Sequence, residues 1–317
     1  MKRLLSIFVS VVILAIIYSR IDLPALAEVF RGSDPLWMAI SLGMVVPLTL
    51  ATGWRLRQLM PRHQDFPLTE ATKLTLSASV LNMVLPSKMG ELAKAYFISD
   101  RGYLPGSLAF SLVVFEKASD LLSLFVWCVF GLLFYPEKET LFWVMTFFVF
   151  LGLFFGLLLL SSESFANLFF RRSKAIASGK LYQKLDKLHR SWTEMHNHFW
   201  QDKRQLLIIA SISIFIWFLH LMQIWFFIFA LRASVPFIAN LALAPLAIFA
   251  GLLPLTFAGV GTRDAALIFF YQPFFDANVG AALGLLCTSR YLLPAIGGLP
   301  FFGQYLANLQ TAKSNAK

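Results

Sequence analysis

Residues 206–231 run for 26 positions without one Asp, Glu, Lys or Arg, and residues 141–160 do the same for 20. A helix needs about 20 apolar residues to cross the roughly 30 Å of hydrocarbon in a bilayer. Lipid offers no partner to a backbone N–H or C=O, so such a run must close its hydrogen bonds internally, as an α-helix does. Residues 4–18 and 36–53 repeat the pattern, and residues 107–134 and 279–299 are similarly long and apolar but enclose Glu116, Lys117 and Asp120, and Arg290, respectively. Only 14% of the 317 residues are charged and 58% are hydrophobic, whereas soluble domains carry about 25% charge. The chain is therefore read as an all-α polytopic membrane protein.

Charge placement orients it. The net charge is +10, and the basic residues collect beside the apolar runs: Lys2 and Arg3, then Arg55, Arg57 and Arg62. Residues 161–205 hold nine Lys or Arg against four Asp or Glu. A basic excess next to spans marks the cytoplasmic side, and no recognition motif accompanies it to indicate nucleic acid. Ile176, Leu181, Leu185, Leu188 and Trp192 recur near helical spacing, so this segment reads either as an amphipathic helix on the membrane surface or as a solvated helix-loop. Ala25-Leu26-Ala27 after the first run imitates a signal-peptidase site, but Arg20 and Asp22 between run and site favour an uncleaved first span. Cys128 and Cys287 lie in apolar segments, with neither a disulfide framework nor metal-ligand spacing.

Two stretches break the span pattern. Residues 69–85 are short and polar for a lipid-facing helix, and Pro86 ends them, because proline lacks the N–H and clashes with the preceding turn. A second short arm, residues 91–98, follows. Residues 239–255 repeat the plan: Pro254 ends the arm, a turn with Gly259, Gly261, Arg263 and Asp264 follows, and residues 265–271 form the second arm. The expectation is about six full spans plus two re-entrant helical hairpins, with both termini cytoplasmic in a bacterial inner membrane. Placing Ala71 on Ala239 brings Leu85-Pro86 onto Leu253-Pro254 without a gap. Since the hairpins enter from opposite faces, this predicts an inverted repeat within a single domain, residues 1–317, with halves 1–160 and 206–317 joined by the basic loop. Broken helices meeting at mid-depth are a recurrent transporter plan.

The polar residues inside this framework are the candidate site. Asn82, Ser87, Lys88, Glu91 and Lys94 surround the first turn, where Pro86 and Gly90 shape the backbone. A helix start beside a lysine suits a phosphate. Glu116 and Asp120 sit one helical turn apart on one face, with Lys117 beside them, and need a cationic partner that Lys88, Lys94 or Arg290 can supply. Such a group serves as a head-group site, as a tether between hairpin and span, or as both. Arg263 and Asp264 form the corresponding pair in the second hairpin. No nucleophile, Walker loop or histidine pair points to catalysis, a cofactor or a metal.

The motif N-x-x-L-P-S-K-x-G-E-L at residues 82–92, E-K-x-x-D-L at 116–121 and L-P-L-T-F-A-G-V-G-T-R-D-A-A-L at 253–267 together resemble the flippase-like transmembrane domain of lysylphosphatidylglycerol synthases. The resemblance implies movement of a phospholipid, often aminoacylated phosphatidylglycerol, between leaflets. Lys88 and Lys117 stand where Arg is common in that family, Asp264 where Glu is common, and Phe257-Ala258 in place of Pro-Gly. The sequence resembles the flippase part alone, without a soluble aminoacyl-transferase domain, so synthase activity is not carried over. The partners expected are membrane phospholipid and, in an alternative role as scaffold or regulator, a lipid-synthesis enzyme.

Overall fold

The computed structural model describes residues 23–61, 64–84, 90–135, 140–252 and 261–315, and among these every regular element is a helix. Helix α1 (Leu23–Arg31) precedes α2 (Pro35–Gly43), which runs through one residue, Met44, into α3 (Val45–Leu59). The Asp34 carboxylate accepts the N–H groups of Leu36 and Trp37 at 2.9 and 3.1 Å, and Pro35 occupies the first turn, so α2 starts where its free donors are satisfied. The first hairpin is α4 (Leu68–Val84) and α5 (Gly90–Asp100). Long helices α6 (Gly106–Phe134) and α7 (Thr140–Ser161) follow, then α8 (Glu163–Ile176) and α9 (Gly179–Phe199). After α10 (Lys203–Ala230) comes the second hairpin, α11 (Phe237–Gly251) and α12 (Thr262–Tyr271), and then α13 (Ala277–Asn315).

Five segments are long and apolar enough to cross a membrane: α2–α3, α6, α7, α10 and the first part of α13. They account for five of the six expected spans; the run at residues 4–18 and the turn at 136–139 lie outside the described residues. Two boundaries are corrected. The second span continues past Gly53 to Leu59, and the last helix passes Leu299 and runs to Asn315 through Pro294 and Pro300. Each proline removes one donor, leaving the carbonyl four residues earlier without its helical partner.

The short helices form hairpins. At about 1.5 Å per residue α5 and α12 are roughly 15–17 Å long, half of what a crossing requires. Arg101 Nη1 donates to Glu70 Oε1 at 2.6 Å and closes the base of the first hairpin. Tyr271 Oη donates to Asn240 Oδ1 at 2.8 Å and closes the second, across the same separation of 31 residues. Gln205 at the start of α10 donates to the carbonyl of Gln58 at the end of α3, at 2.5 Å, so these packed helices run antiparallel and the hairpins leave from opposite ends of the bundle.

Packing relates the two quartets. Helix α4 packs on α3, α5 and α13, and α11 packs correspondingly on α10, α12 and α6. Exchanging α3–α6 with α10–α13 leaves these neighbours unchanged. The closest crossings obey the same exchange: Gly131 of α6 lies against the carbonyl of Ala242 in α11, and Gly298 of α13 against that of Leu76 in α4. A Cβ at either glycine meets backbone, which cannot yield as a side-chain tip does.

Two large apolar cores result, beside a small cluster of Leu48, Ile212 and Ile216. One joins Ala109, Leu112 and Phe115 of α6 with α3–α5, α8 and α9, and the other joins Leu124, Cys128 and Leu132 with α10–α13. Between them lies a polar layer with buried Glu116, Ser119 and Ser123 of α6 and Ser213 of α10. The basic segment, read as either a surface amphipathic helix or a solvated helix-loop, is the pair α8–α9. Trp192 of α9 is buried, Leu185 and Leu188 are half-buried, and Leu181 and Ile176 are exposed. Trp192 and Trp200 each donate a ring N–H at 2.8 Å to the last carbonyls of α7, at Leu159 and Leu160, which anchors α9 to the bundle.

Gly131→Val and Gly298→Val should each destabilise the protein by about 1–3 kcal/mol through overpacking. Thermal unfolding in detergent checks this; unchanged melting of both variants would mean that the crossings do not hold the repeat together.

Candidate functional site

Glu116 and Asp120 are the eleventh and fifteenth of the 29 residues of α6. Asp120 is thus about 21 Å from the helix start at 1.5 Å per residue, near the centre of a span. A lone charge there costs several kcal/mol, so each must be matched. Glu116 accepts from Arg55 Nη2 at 3.0 Å and from Lys94 Nζ at 3.0 and 3.2 Å. Asp120 is held by both terminal nitrogens of Arg55 and by Lys117 Nζ at 3.3 Å. Glu91 meets Lys94 Nζ at 2.5 Å and Lys117 Nζ at 3.3 Å, and accepts from Asn82 Nδ2 at 2.9 Å. Three cations and three carboxylates close on one another. Arg55, Lys94 and Glu116 are 1%, 1% and 0% exposed.

The network forms one wall of a cavity of about 280 Å³. Arg55, Asn82, Glu91, Lys117 and Asp120 face it from α3–α6, while Leu48, Met83, Ile216, Trp217 and Pro294 supply apolar surface. The Trp217 ring N–H donates to the carbonyl of Asp120 at 2.8 Å and fixes α10 against α6. A larger recess of about 480 Å³, lined by Arg57, Gln58 and Gln64 at the end of α3, touches none of these carboxylates.

Arg290, the fourteenth residue of α13, lines the same cavity. It is 7% exposed, and its Nε and Nη1 have no hydrogen-bond partner among the described residues. It is therefore not the counter-charge of Glu116 or Asp120; Arg55, Lys94 and Lys117 fill that role.

The second hairpin uses its charges differently. Arg263 Nη2 donates to Asp264 Oδ1 at 2.6 Å, to Thr288 Oγ1 at 2.8 Å and to the carbonyl of Gly284 at 3.1 Å. Asp264 Oδ2 accepts the N–H of Gly261 at 3.0 Å, and Gly261 has φ 97°, which favours glycine. Arg263 and Asp264 thus pin α12 to α13, apart from the ion network; Thr288, which accepts from Arg263, links them to the cavity lining.

The sequence profile of the lysylphosphatidylglycerol synthase TM region matches residues 3–298. The chain belongs to that family. Among curated proteins, one named UPF0104 membrane protein MJ1595, of Methanocaldococcus jannaschii, is 23% identical over 319 residues, 94% of this chain and 93% of its own length.

In this member of the lysylphosphatidylglycerol synthase TM family, two of the three quoted motifs converge. Glu91 from the first, held by Asn82, meets Lys117 from the second, which also pairs with Asp120. Gly90 lets the arms of the hairpin approach, since a Cβ there would lie 2.6 Å from the carbonyl of Ala78. Pro86, Ser87, Lys88, Pro254 and Gly259 lie outside the described residues.

The residue that sequence reasoning missed is Arg55, grouped with Arg57 and Arg62 as a cytoplasmic flank. A usable signal was present. Arg55 follows Leu48 by seven residues and precedes Leu59 by four, which puts it on the buried face of α3, whereas Arg57 is exposed.

Arg55→Met should cost about 3–5 kcal/mol, because it leaves two buried carboxylates undercompensated. Adding Glu116→Gln restores equal numbers of charges and should recover part of that loss. Melting temperatures of the parent, each single variant and the double variant in detergent decide it: a double variant no more stable than Arg55→Met alone rules out the coupling.

Away from the cavity, Lys174 Nζ of α8 donates to Asp186 Oδ1 and to His189 Nδ1 of α9, each at 3.1 Å. His189 Nε2 then donates to Asn167 Oδ1 at 2.7 Å. Burial, followed by the nearby Lys174 charge, pushes His189 below its usual value. A histidine held neutral in the packed state takes up its proton first when unpacked. As pH falls below about 6.5 the α8–α9 pairing should therefore loosen. Hydrogen exchange in α8 and α9 should quicken on acidification, and His189→Gln should suppress the change; equal quickening in that variant would assign the effect elsewhere.

Proposed function

We propose that this protein binds a phospholipid, or another lipid-linked polar head group, in the cavity at mid-depth and passes it between leaflets. The observation that carries this reading is the cavity's mixed lining. A fixed array of charged groups, Arg55, Glu91, Lys117, Asp120 and Arg290, shares it with apolar Leu48, Met83, Ile216 and Trp217, as an amphiphile requires. Membership in a family named for lysylphosphatidylglycerol synthases supports lipid as the substrate class. Asn82, Glu91, Lys117 and Asp120 would meet the head group, and Lys94 and Glu116 would hold them from behind. Arg263 and Asp264 would keep the facing hairpin in place. No catalytic step is assigned.

The basic α8–α9 segment supports an orientation with both termini cytoplasmic, in a bacterial inner membrane. Residues 1–317 then act as a single integral domain. A second reading, a scaffold for a lipid-synthesis enzyme, has one observation in its favour: Ile176, Leu181 and Tyr182 are exposed at the junction of α8 and α9, Ile176 by 90%. Recovery of such an enzyme with the intact protein, but not with a variant lacking residues 163–199, supports it. Lipid exchange by the purified protein alone counts against it.

The test of transport uses proteoliposomes containing a fluorescent phospholipid and a membrane-impermeant quencher. Lys117 is suited to substitution because its side chain is 39% exposed. Removing one charge-assisted contact of about 1.5–3 kcal/mol slows exchange roughly ten- to a hundredfold. Lys117→Ala that folds and exchanges at the parent rate removes the proposed wall, and a parent no faster than protein-free vesicles removes the function.

A further inference from the structure

The ion network leaves one charge over. Among the described residues, Arg55, Lys94 and Lys117 match Glu91, Glu116 and Asp120 one for one, while Arg290 lines the cavity with Nε and Nη1 unbonded. The described lining thus carries one net positive charge. A guanidinium 93% buried without a counter-ion is costly unless a ligand brings the missing charge. The ring of Tyr291, 5.9 Å from the Arg290 guanidinium carbon, offers only a weak cation–π contact.

A neighbouring group specifies the ligand further. Gln223 lines the cavity and is fully buried; its Nε2 donates to the carbonyl of Ser41 at 2.9 Å, and its Oε1 has no hydrogen-bond partner among the described residues. Among the described residues the cavity therefore holds one unused cationic fork, on Arg290, and two unused neutral acceptors, Gln223 Oε1 and, on the side of the ion network, Asn82 Oδ1. The three carboxylates of the ion network, two of them in the lining, are already engaged, so an added ammonium finds no free one and must displace Lys94, Lys117 or Arg55.

We propose that the cavity selects head groups of net negative charge, with a phosphate oxyanion on Arg290 and a hydroxyl donor toward Gln223, and discriminates against aminoacylated, net positive ones. This rests on the lipid reading above and narrows it: phosphatidylglycerol fits, and its lysyl ester, with two ammonium groups against one phosphate, does not. An arginine fork suits a phosphate because two parallel N–H donors meet two oxygens. A soluble phosphate ester shares that chemistry, but the apolar surface that Leu48, Met83, Ile216 and Trp217 give the cavity favours the lipid source.

Native mass spectrometry of the purified full-length protein, given equal amounts of phosphatidylglycerol, lysyl-phosphatidylglycerol and phosphatidylcholine in mixed micelles, tests this. Phosphatidylglycerol should be retained at least about tenfold better than the lysyl lipid, a difference of about 1.4 kcal/mol. Arg290→Gln should bring the ratio to within about twofold, and Arg290→Lys should keep part of the preference. Arg290→Gln removes an uncompensated buried charge and should melt no lower than the parent; if it does not fold, the parent ratio and Arg290→Lys still decide. Equal or better retention of the lysyl lipid by the parent, or an undiminished preference in folded Arg290→Gln, overturns the charge selection. Retention of none of the three lipids overturns the lipid reading itself. Displacement of phosphatidylglycerol by glycerol phosphate at comparable concentration would assign the anion site to a soluble ester and also overturn the lipid source.

Discussion

The guanidinium of Arg55 is the contact on which the first half of the bundle depends. It reaches Glu116 and Asp120 on α6 and Ser213 on α10. Lys94 extends the network to α5, and Asn82 extends it to α4 through Glu91. Five helices therefore meet at one cluster of charges inside an apolar bundle. Helices in lipid gain little from burying apolar side chains against one another, because hydrocarbon surrounds them in either state. A polar cluster that must be satisfied internally thus gives the short α5 a defined seat that apolar packing alone would leave loose.

The second hairpin has the same backbone plan and different chemistry. Its base closes through Tyr271 and Asn240 instead of Arg101 and Glu70, and Arg263 is turned toward its own Asp264 and the carbonyls of α13. One repeat presents charges to the cavity while the other holds α12 against α13. The cavity is asymmetric for this reason: among the described residues, a matched set of charges stands on α3–α6 and one unmatched arginine on α13. That asymmetry turns a symmetric scaffold into a site with a preferred sign of charge.

Much of this was legible in the residues. The apolar runs marked the spans, Pro86 and Pro254 marked the ends of short arms, and the spacing of Glu116 and Asp120 placed two carboxylates on one face that needed a cation. The role of Lys94 followed from the same need. Less legible was the division of labour among the arginines. Arg55 stood among flank charges and proved central, Arg290 was one of three candidate counter-charges and has no ion pair among the described residues, and Arg263, grouped with the site, clamps two helices.

The division has a physical cause. Hydrophobic length, helical period and the conformational limits of proline and glycine act over a few residues, so the all-α class, the spans and the broken helices are written locally in the chain. The ion pairs join positions 22, 61 and 65 residues apart. Whether a given arginine meets a carboxylate over such separations depends on which helix faces are brought together, and only the packed bundle decides that. It is there that Arg55 became structural and Arg290 was left to face the cavity.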